Sequence, residues 1–279
     1  MTISAADLKD ALTAVRETVP LVHCITNYVT VNDCANALLA CGGSPIMSDE
    51  PEDVADITSI CGGLVLNIGT LNQHSIEGMR VAGKRAAELE HAIVLDPVGA
   101  GASALRTATA SELIDTLPIT VIRGNMSEVK AVAGAASSTR GVDVNPDDVV
   151  TDENLAESAA FARELAAKLD AIVAITGAID IVASADRAVA IRNGVALMGK
   201  MTGAGCVLSC LVGAYVTATP ASRLEAVVAA IAGEGLAGQI AASRMGELDG
   251  NGSFRTYLLD AICNMTAEQL AAGALVEEL

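Results

Sequence analysis

Gly199-Lys200-Met201-Thr202-Gly203-Ala204-Gly205-Cys206 runs directly into the apolar series Val207-Leu208-Ser209-Cys210-Leu211-Val212-Gly213-Ala214. The apolar series has the character of a buried helix, so the first helical turn starts inside the glycine loop. Backbone N–H groups at such a start have no intrahelical partner, and the helix dipole adds partial positive charge there. Glycines let a phosphate approach those N–H groups closely, and Cys206 would then stand beside the phosphate. The stretch also admits a plainer reading: a tight turn into a core helix, with Cys206 as a small buried apolar side chain. The rest of the chain has to decide between them.

Upstream of the loop, apolar strands alternate with helical segments. Strands are expected at 64–69, 92–96, 119–123 and 171–176. Helices are expected near 71–89, 103–116, 125–134 and 152–168. A helix over 3–18 capped by Ser4, an extended segment at 21–27, a helix over 30–41 and a strand edge at 44–47 precede them. Two short strands, 180–184 and 187–192, form a near-hairpin around Ala185-Asp186. Helices near 204–218, 221–243 and 254–271 close the chain, and the polar segment 137–151 reads as a loop. Continuous apolar strands alternating with helices imply a mostly parallel sheet covered on both faces, an α/β fold. No break in composition divides the 279 residues, so one domain over 1–279 is expected.

Ligands of such sheets bind at the carboxyl ends of strands. That rule selects Asn67-Ile68-Gly69, Asp96-Pro97-Val98-Gly99, Arg123-Gly124-Asn125 and Thr176-Gly177. Asp96 suits a divalent cation or its bound water, and equally a capped turn before Pro97. Asn125-Met126-Ser127-Glu128 has the spacing of a capping box, yet Glu128 would still face the crevice. Two carboxylates with phosphate oxygens and waters form a usual Mg²⁺ arrangement. Arg123 is either the structural partner of these acids or a bidentate phosphate ligand. Thr176-Gly177 can offer a hydroxyl and an N–H to another phosphate.

Charge narrows the partners. The net charge of −17 disfavours nucleic acid and anionic membranes, both of which need basic patches. An anionic ligand must therefore be held by local devices. Seven cysteines without a C-x-x-C pair argue for reduced thiols rather than a disulfide framework or a zinc site. The N-terminus lacks the features of a signal peptide, and no uninterrupted apolar run is expected to span a bilayer, so a cytoplasmic protein is expected. Gly194-Val195-Ala196-Leu197-Met198-Gly199-Lys200-Met201 has the spacing of a P-loop, but Met201 replaces its Ser or Thr and no helix is expected to start at Lys200. His23, His74 and His91 lack metal spacing, and His23 is either a substrate contact or a satisfied core histidine.

Taken together, these residues resemble a known family. Asn125-Met126-Ser127-Glu128 is similar to the N-x-x-E metal motif of ribokinase-like kinases. Thr202-Gly203-Ala204-Gly205-Cys206 is similar to their G-x-G-D anion hole, with Cys in place of Asp. That exchange, with Asp96-Pro97-Val98-Gly99 and Ile25-Thr26-Asn27-Tyr28-Val29-Thr30, resembles the hydroxyethylthiazole kinases over about residues 20 to 245. The resemblance implies a three-layer ribokinase-like fold without a lid domain. It implies phosphorylation of the primary alcohol of 4-methyl-5-(2-hydroxyethyl)thiazole by MgATP, in trimers with active sites at subunit interfaces. It assigns Met47, Asn27 and Gly203 to the thiazole and Arg123, Thr176 and Gly205 to ATP. Asp96 and Glu128 fall to Mg²⁺, and Cys206 to the catalytic position. Ala204 departs from the Thr or Ser frequent in the family, which removes a hydroxyl but keeps the N–H. The tail after about 250 matches poorly. A helix N-terminus is further expected to lower the Cys206 thiol pKa. Kinases of other small alcohols, such as a hydroxymethylpyrimidine, and a nucleotide-dependent dehydratase share the fold, but the dehydratase would carry Asp at position 206.

Overall fold

The computed structural model describes residues 2–136 and 149–279. Most of the polar segment expected as a loop at 137–151 therefore lies outside the described residues. In chain order the elements begin with α1 (Ala5–Thr18), β1 (Leu21–Ile25), α2 (Val31–Cys41), β2 (Ser44–Met47), α3 (Val54–Ile60), β3 (Gly63–Asn67) and α4 (Gln73–Glu88). There follow β4 (Ala92–Asp96), α5 (Ala104–Thr116), β5 (Val121–Asn125), α6 (Met126–Ala136), α7 (Leu155–Leu169), β6 (Ile172–Thr176), β7 (Asp180–Ala183) and β8 (Ala188–Ile191). The chain ends with α8 (Ala204–Ala218), α9 (Arg223–Ser243), α10 (Asn251–Asn264), α11 (Ala267–Gly273) and β9 (Val276–Glu278).

Among the described residues all nine strands form one sheet in the order β2-β1-β3-β4-β5-β6-β7-β8-β9. β2 through β6 run parallel, and β7, β8 and β9 are antiparallel additions at one edge. Side chains alternate across the sheet as the strand period requires. Cys24, Val65, Val94 and Ala174 face a core shared with α1, α2, α8, α9 and α10. Leu64, Leu66, Ile93 and Leu95 face the opposite side, toward α4 and α5. Val173, Ile175 and Ile181 face α7. The result is the three-layer arrangement expected, with helices on both faces of a mostly parallel sheet.

Only 2% of the residues are aromatic, so small aliphatic side chains must fill the core by close approach. α8 shows how. Every residue from Cys206 to Val216 is buried, and a Cβ at Gly213 would stand 2.5 Å from Val65 Cγ2, so the glycine sets how near the helix lies to β3. α9 is long and apolar enough to cross a membrane, contrary to the expectation that no segment is. It carries Glu225 and Glu234, however, and 72% of its most apolar window is buried inside the fold.

Several boundaries differ from expectation for local reasons. α3 was not anticipated; it is a seven-residue helix between Pro51 and Gly62, too short to show a clear period. The strand expected at 119–123 runs from Val121 to Asn125; the Ile119 N–H turns back to the Leu117 carbonyl after Pro118, while the Thr120 N–H bonds the Ile93 carbonyl of β4 just ahead of the strand. The last helix divides into α10 and α11, where Thr266 and Gln269 form a capping box that starts a new helix. β9 pairs only with the distant β8, a non-local contact that three residues cannot advertise. The P-loop-like segment is a 3₁₀ turn over Ala196–Lys200, and the helix starts at Ala204 instead.

Candidate active site

The sheet order places the ends of β2, β1, β3, β4, β5 and β6 in one row. Met47 ends β2 at one extreme, and Thr176 ends β6 at the other. Between them stand Asn67, in register with Asp96, and Asn125, in register with Thr176.

Asp96 is fully buried. Its Oδ2 accepts hydrogen bonds from Asn67 Nδ2 at 2.7 Å, Ser209 Oγ at 2.8 Å and Arg123 Nη1 at 3.3 Å. Its Oδ1 is equally buried and has no hydrogen-bond partner. Burial lifts the carboxyl to about 6 and the nearby Glu128 charge adds to the rise, against the pull of Arg123, Ser209 and Asn67. Arg123 is nearly as buried and also donates to Thr176 Oγ1 at 2.7 Å, while its Nε has no partner. Burial favours loss of its proton, but neighbouring acids, Asp96 first and then Glu128, outweigh that and hold it above its ordinary pKa.

Glu128 serves a cap and also reaches beyond it. Asn125 Oδ1 accepts the Glu128 N–H at 2.9 Å, and Glu128 Oε2 accepts the Asn125 N–H at 2.9 Å, which completes the capping box. Its other oxygen, Oε1, accepts the Gly99 N–H at 2.8 Å, so the same side chain reaches the loop after Asp96. The two candidate metal ligands thus belong to adjoining strand ends. Among the described residues no group of three or more His, Cys, Asp or Glu could hold a metal ion alone.

The glycine loop closes over this pair. Gly203 caps α8 with φ 85° and lies directly on the Thr30 side chain, where a Cβ would collide. A Cβ at Gly205 would stand 2.6 Å from Arg123 Nη2, so the first turn of α8 rests on the guanidinium. Cys206 follows, buried at 6% exposure. Its thiol contradicts the expectation of a lowered pKa. Burial, together with the Asp96 charge, pushes it up to about 11, and hydrogen bonds from Thr30 and Asn67 only partly offset this. Desolvation and a neighbouring acid therefore prevail over the helix start, and Cys206 is a neutral thiol near pH 7.

Beyond Arg123 opens a cavity of about 580 Å³, bounded by Thr176, Ala204 and Gly205 on one side and by the loop from Arg192 to Gly199 on the other. Asp180 and Glu234 line it as well, and neither was singled out in the sequence. Asn27 stands just after β1, where its Oδ1 accepts the Val29 N–H at 2.9 Å. His23 is a satisfied core histidine: its ring bonds Thr58 Oγ1 and the Ser48 carbonyl, both at 2.9 Å. Asp96, Glu128, Arg123, Thr176, Gly203, Gly205 and Cys206 come together. Asn27 and Met47 stand apart from the cavity, at the far strand ends of the same edge. Ser209 was legible only as part of an apolar helix, although it is one turn from Cys206 and points at Asp96.

A nucleotide-sized cavity beside paired acids and an open helix N-terminus, on this sheet, defines a small-molecule kinase of the ribokinase-like class. The fold matches the pyridoxal kinase of Staphylococcus aureus with a TM-score of 0.62 over 93% of this chain and 97% of that one, at 14% identity. A solved hydroxyethylthiazole kinase protein from Pyrococcus horikoshii matches far more closely, with a TM-score of 0.87, 34% identity and 98% of both chains covered. The hydroxyethylthiazole kinase of Clostridium acetobutylicum is 49% identical over 97% of this chain and 99% of its own length. The model of the hydroxyethylthiazole kinase family matches residues 12–268. The chain belongs to that family, and the likeness runs well into the tail after residue 250 that was expected to match poorly.

The burial and neutrality of Cys206 have a direct consequence. In native protein at about pH 8, iodoacetamide should modify Cys206 at least ~10-fold more slowly than the exposed Cys263. A peptide-resolved mass-spectrometric time course reads this, and equal rates would mean that the thiol is neither shielded nor raised.

Proposed function

We propose that this enzyme transfers the γ-phosphoryl group of ATP to the primary alcohol of 4-methyl-5-(2-hydroxyethyl)thiazole, giving the thiazole phosphate used in thiamine synthesis. Family membership over nearly the whole chain supports the reaction. The observation that carries it to a site is the first turn of α8, set between the Asp96–Arg123 pair and the cavity.

In this reading Met47, Asn27 and Gly203 hold the thiazole, and Arg123, Thr176 and Gly205 hold ATP. Asp96 and Glu128 hold Mg²⁺. The donor set fits that ion: both ligands are hard carboxylates, and the partnerless, fully buried Asp96 Oδ1 is a lone pair in want of a cation. Bound Mg²⁺ supplies charge neutralisation at the phosphate oxygens. The transition state of phosphoryl transfer is loose, so orientation and charge stabilisation dominate. N–H groups at the start of α8 would receive the charge on the transferring phosphoryl group. Cys206, a neutral thiol, orients the alcohol by a hydrogen bond, and as the new P–O bond acidifies the hydroxyl its proton passes to a phosphoryl oxygen rather than to sulfur.

The reading extends to the assembly and its setting. Tyr28 and Val29 expose apolar surface next to Asn27, at the thiazole end of the row. That surface supports a homotrimer in which a neighbouring subunit closes the site, and residues 1–279 act as one cytoplasmic kinase domain.

Three measurements test this. With ATP and the thiazole alcohol, Cys206→Ala should lower kcat by about 10²-fold without abolishing turnover, and Cys206→Asp should stay active. A trapped phosphocysteine on wild type, with no turnover in Cys206→Ala, would replace this role with covalent catalysis. In a metal titration, Glu128→Gln should need about 10-fold more Mg²⁺ for half-maximal rate, and an unchanged requirement removes Glu128 from the metal. Light scattering should give three times the mass of one 28.2 kDa chain, and a monomer at working concentration refutes the shared site.

A further inference from the structure

Glu234 is the anomaly of α9. It is a lone acid in Ala230-Ile231-Ala232-Gly233-Glu234-Gly235, 4% exposed, with Oε1 buried and without a hydrogen-bond partner. It lines the 580 Å³ cavity at the end where Arg123, Ala204 and Gly205 stand. Arg123 lies close enough for its charge to act on Glu234, but its Nη groups are committed to Asp96 and Thr176. An ionised carboxylate with a buried, partnerless oxygen in that position has no salt bridge to offset its desolvation. A protonated one is desolvated at far smaller cost and gains an O–H to donate.

We infer that Glu234 is a nucleotide-binding residue of this enzyme, a neutral carboxyl that donates a hydrogen bond to the phosphate chain of ATP. The inference rests on the cavity being the ATP site proposed above. Phosphate oxygens near neutral pH are acceptors only, so a wall that binds them must present donors. The start of α8 and Arg123 supply most of these, and the Glu234 O–H adds one more. The same residue in its charged form would repel the ligand.

Burial raises the Glu234 carboxyl to about 8, with Asp180 adding to the rise and Arg123 opposing it. The groups facing it are Arg123 at the end of β5, Asp180 on β7 and Arg192 after β8, all on the cavity wall. Tyr215 of α8 and Cys41 of α2 face it across a second, much smaller pocket of about 10 Å³. Asp180 is itself raised to about 7 by burial. The sign follows from the binding form being the neutral one. Affinity for ATP is full below the pKa of Glu234 and falls as pH rises through it, while Asp180 contributes a separate step at lower pH.

The test is the pH profile of KM for ATP, with the Kd for ADP by calorimetry, from about pH 7.5 to 9.5, above the last phosphate ionisation of the nucleotide. In wild type KM should rise about 10-fold across that range. Glu234→Gln keeps the shape and a neutral donor, so its KM at pH 7.5 should stay within about 3-fold of wild type and its profile should flatten. Glu234→Ala, checked for native folding, should raise KM about 10-fold at every pH with a smaller change in kcat. Parallel profiles for wild type and Glu234→Gln would overturn the inference, leaving Glu234 as a structural group satisfied by water in the smaller pocket. Thr176→Val separates the two levels of the argument. If it too leaves KM and Kd unchanged, the cavity is not the nucleotide site. If it weakens the nucleotide while both Glu234 variants do not, only the role of Glu234 fails.

Discussion

The ion pair between Asp96 and Arg123 is the constraint to which the surrounding structure answers. Taking two charges out of water costs several kcal/mol for each, and mutual attraction repays this only when the remaining lone pairs and N–H groups are satisfied. Here one Asp96 oxygen is saturated by Asn67, Ser209 and Arg123, and Arg123 reaches on to Thr176. Each partner comes from a different element: β3, α8 and β6. The strand register and the placement of α8 are thus tied to one carboxylate. The pair nonetheless keeps Asp96 Oδ1 and Arg123 Nε free. A buried ion pair serves stability poorly as a rule, and two unsatisfied atoms make this one poorer. Its arrangement makes physical sense when a cation and an anion complete it.

The same pair dictates the glycine loop. Only a residue without a side chain lets the first turn of α8 rest on the guanidinium, since a Cβ at Gly205 would meet both Nη atoms within 2.7 Å. Gly203 meets a second demand, a left-handed backbone pressed against Thr30. The two glycines therefore answer different needs, one steric toward β5 and one conformational at the cap. Cys206 inherits its place from both. It is buried beside an acid, and that explains why its thiol is raised where the helix start alone would lower it.

Much of this was legible in the sequence, and the reasons are local. Apolar runs announced β3, β4 and β6, and strand-end acids announced the edge that carries the site. Asn125 and Glu128 announced a cap, and the structure shows that the cap and the crevice use different oxygens of one carboxyl. What was illegible came from partners distant in sequence. Ser209 reads as one more position of an apolar helix until α8 is laid over β4. Asp180 reads as the first residue of an edge strand. Glu234 carries a signal of its own: with eight uncharged residues before it, Ala226 to Gly233, and nine after it, Gly235 to Ser243, it stands on a helix buried nearly throughout and has no exposed face to turn to. The raised Cys206 thiol was misjudged for the converse reason, because helix position is visible in sequence and burial beside Asp96 is not.

The net charge of −17 poses a question that the site answers. A protein this acidic binds a polyanion only if its own charges are kept from the ligand. Surface carboxylates more than a Debye length away, about 8 Å at physiological salt, are largely screened by counterions. Carboxylates in the cavity wall have no such screen. They must be paired, as Asp96 is with Arg123, or held neutral by burial, as Asp180 and Glu234 are driven to be. With ATP in the cavity, as proposed, burial of these acids would be part of anion recognition. It would convert groups that repel phosphate into groups that can donate to it, with Arg123 and the start of α8 carrying the positive charge.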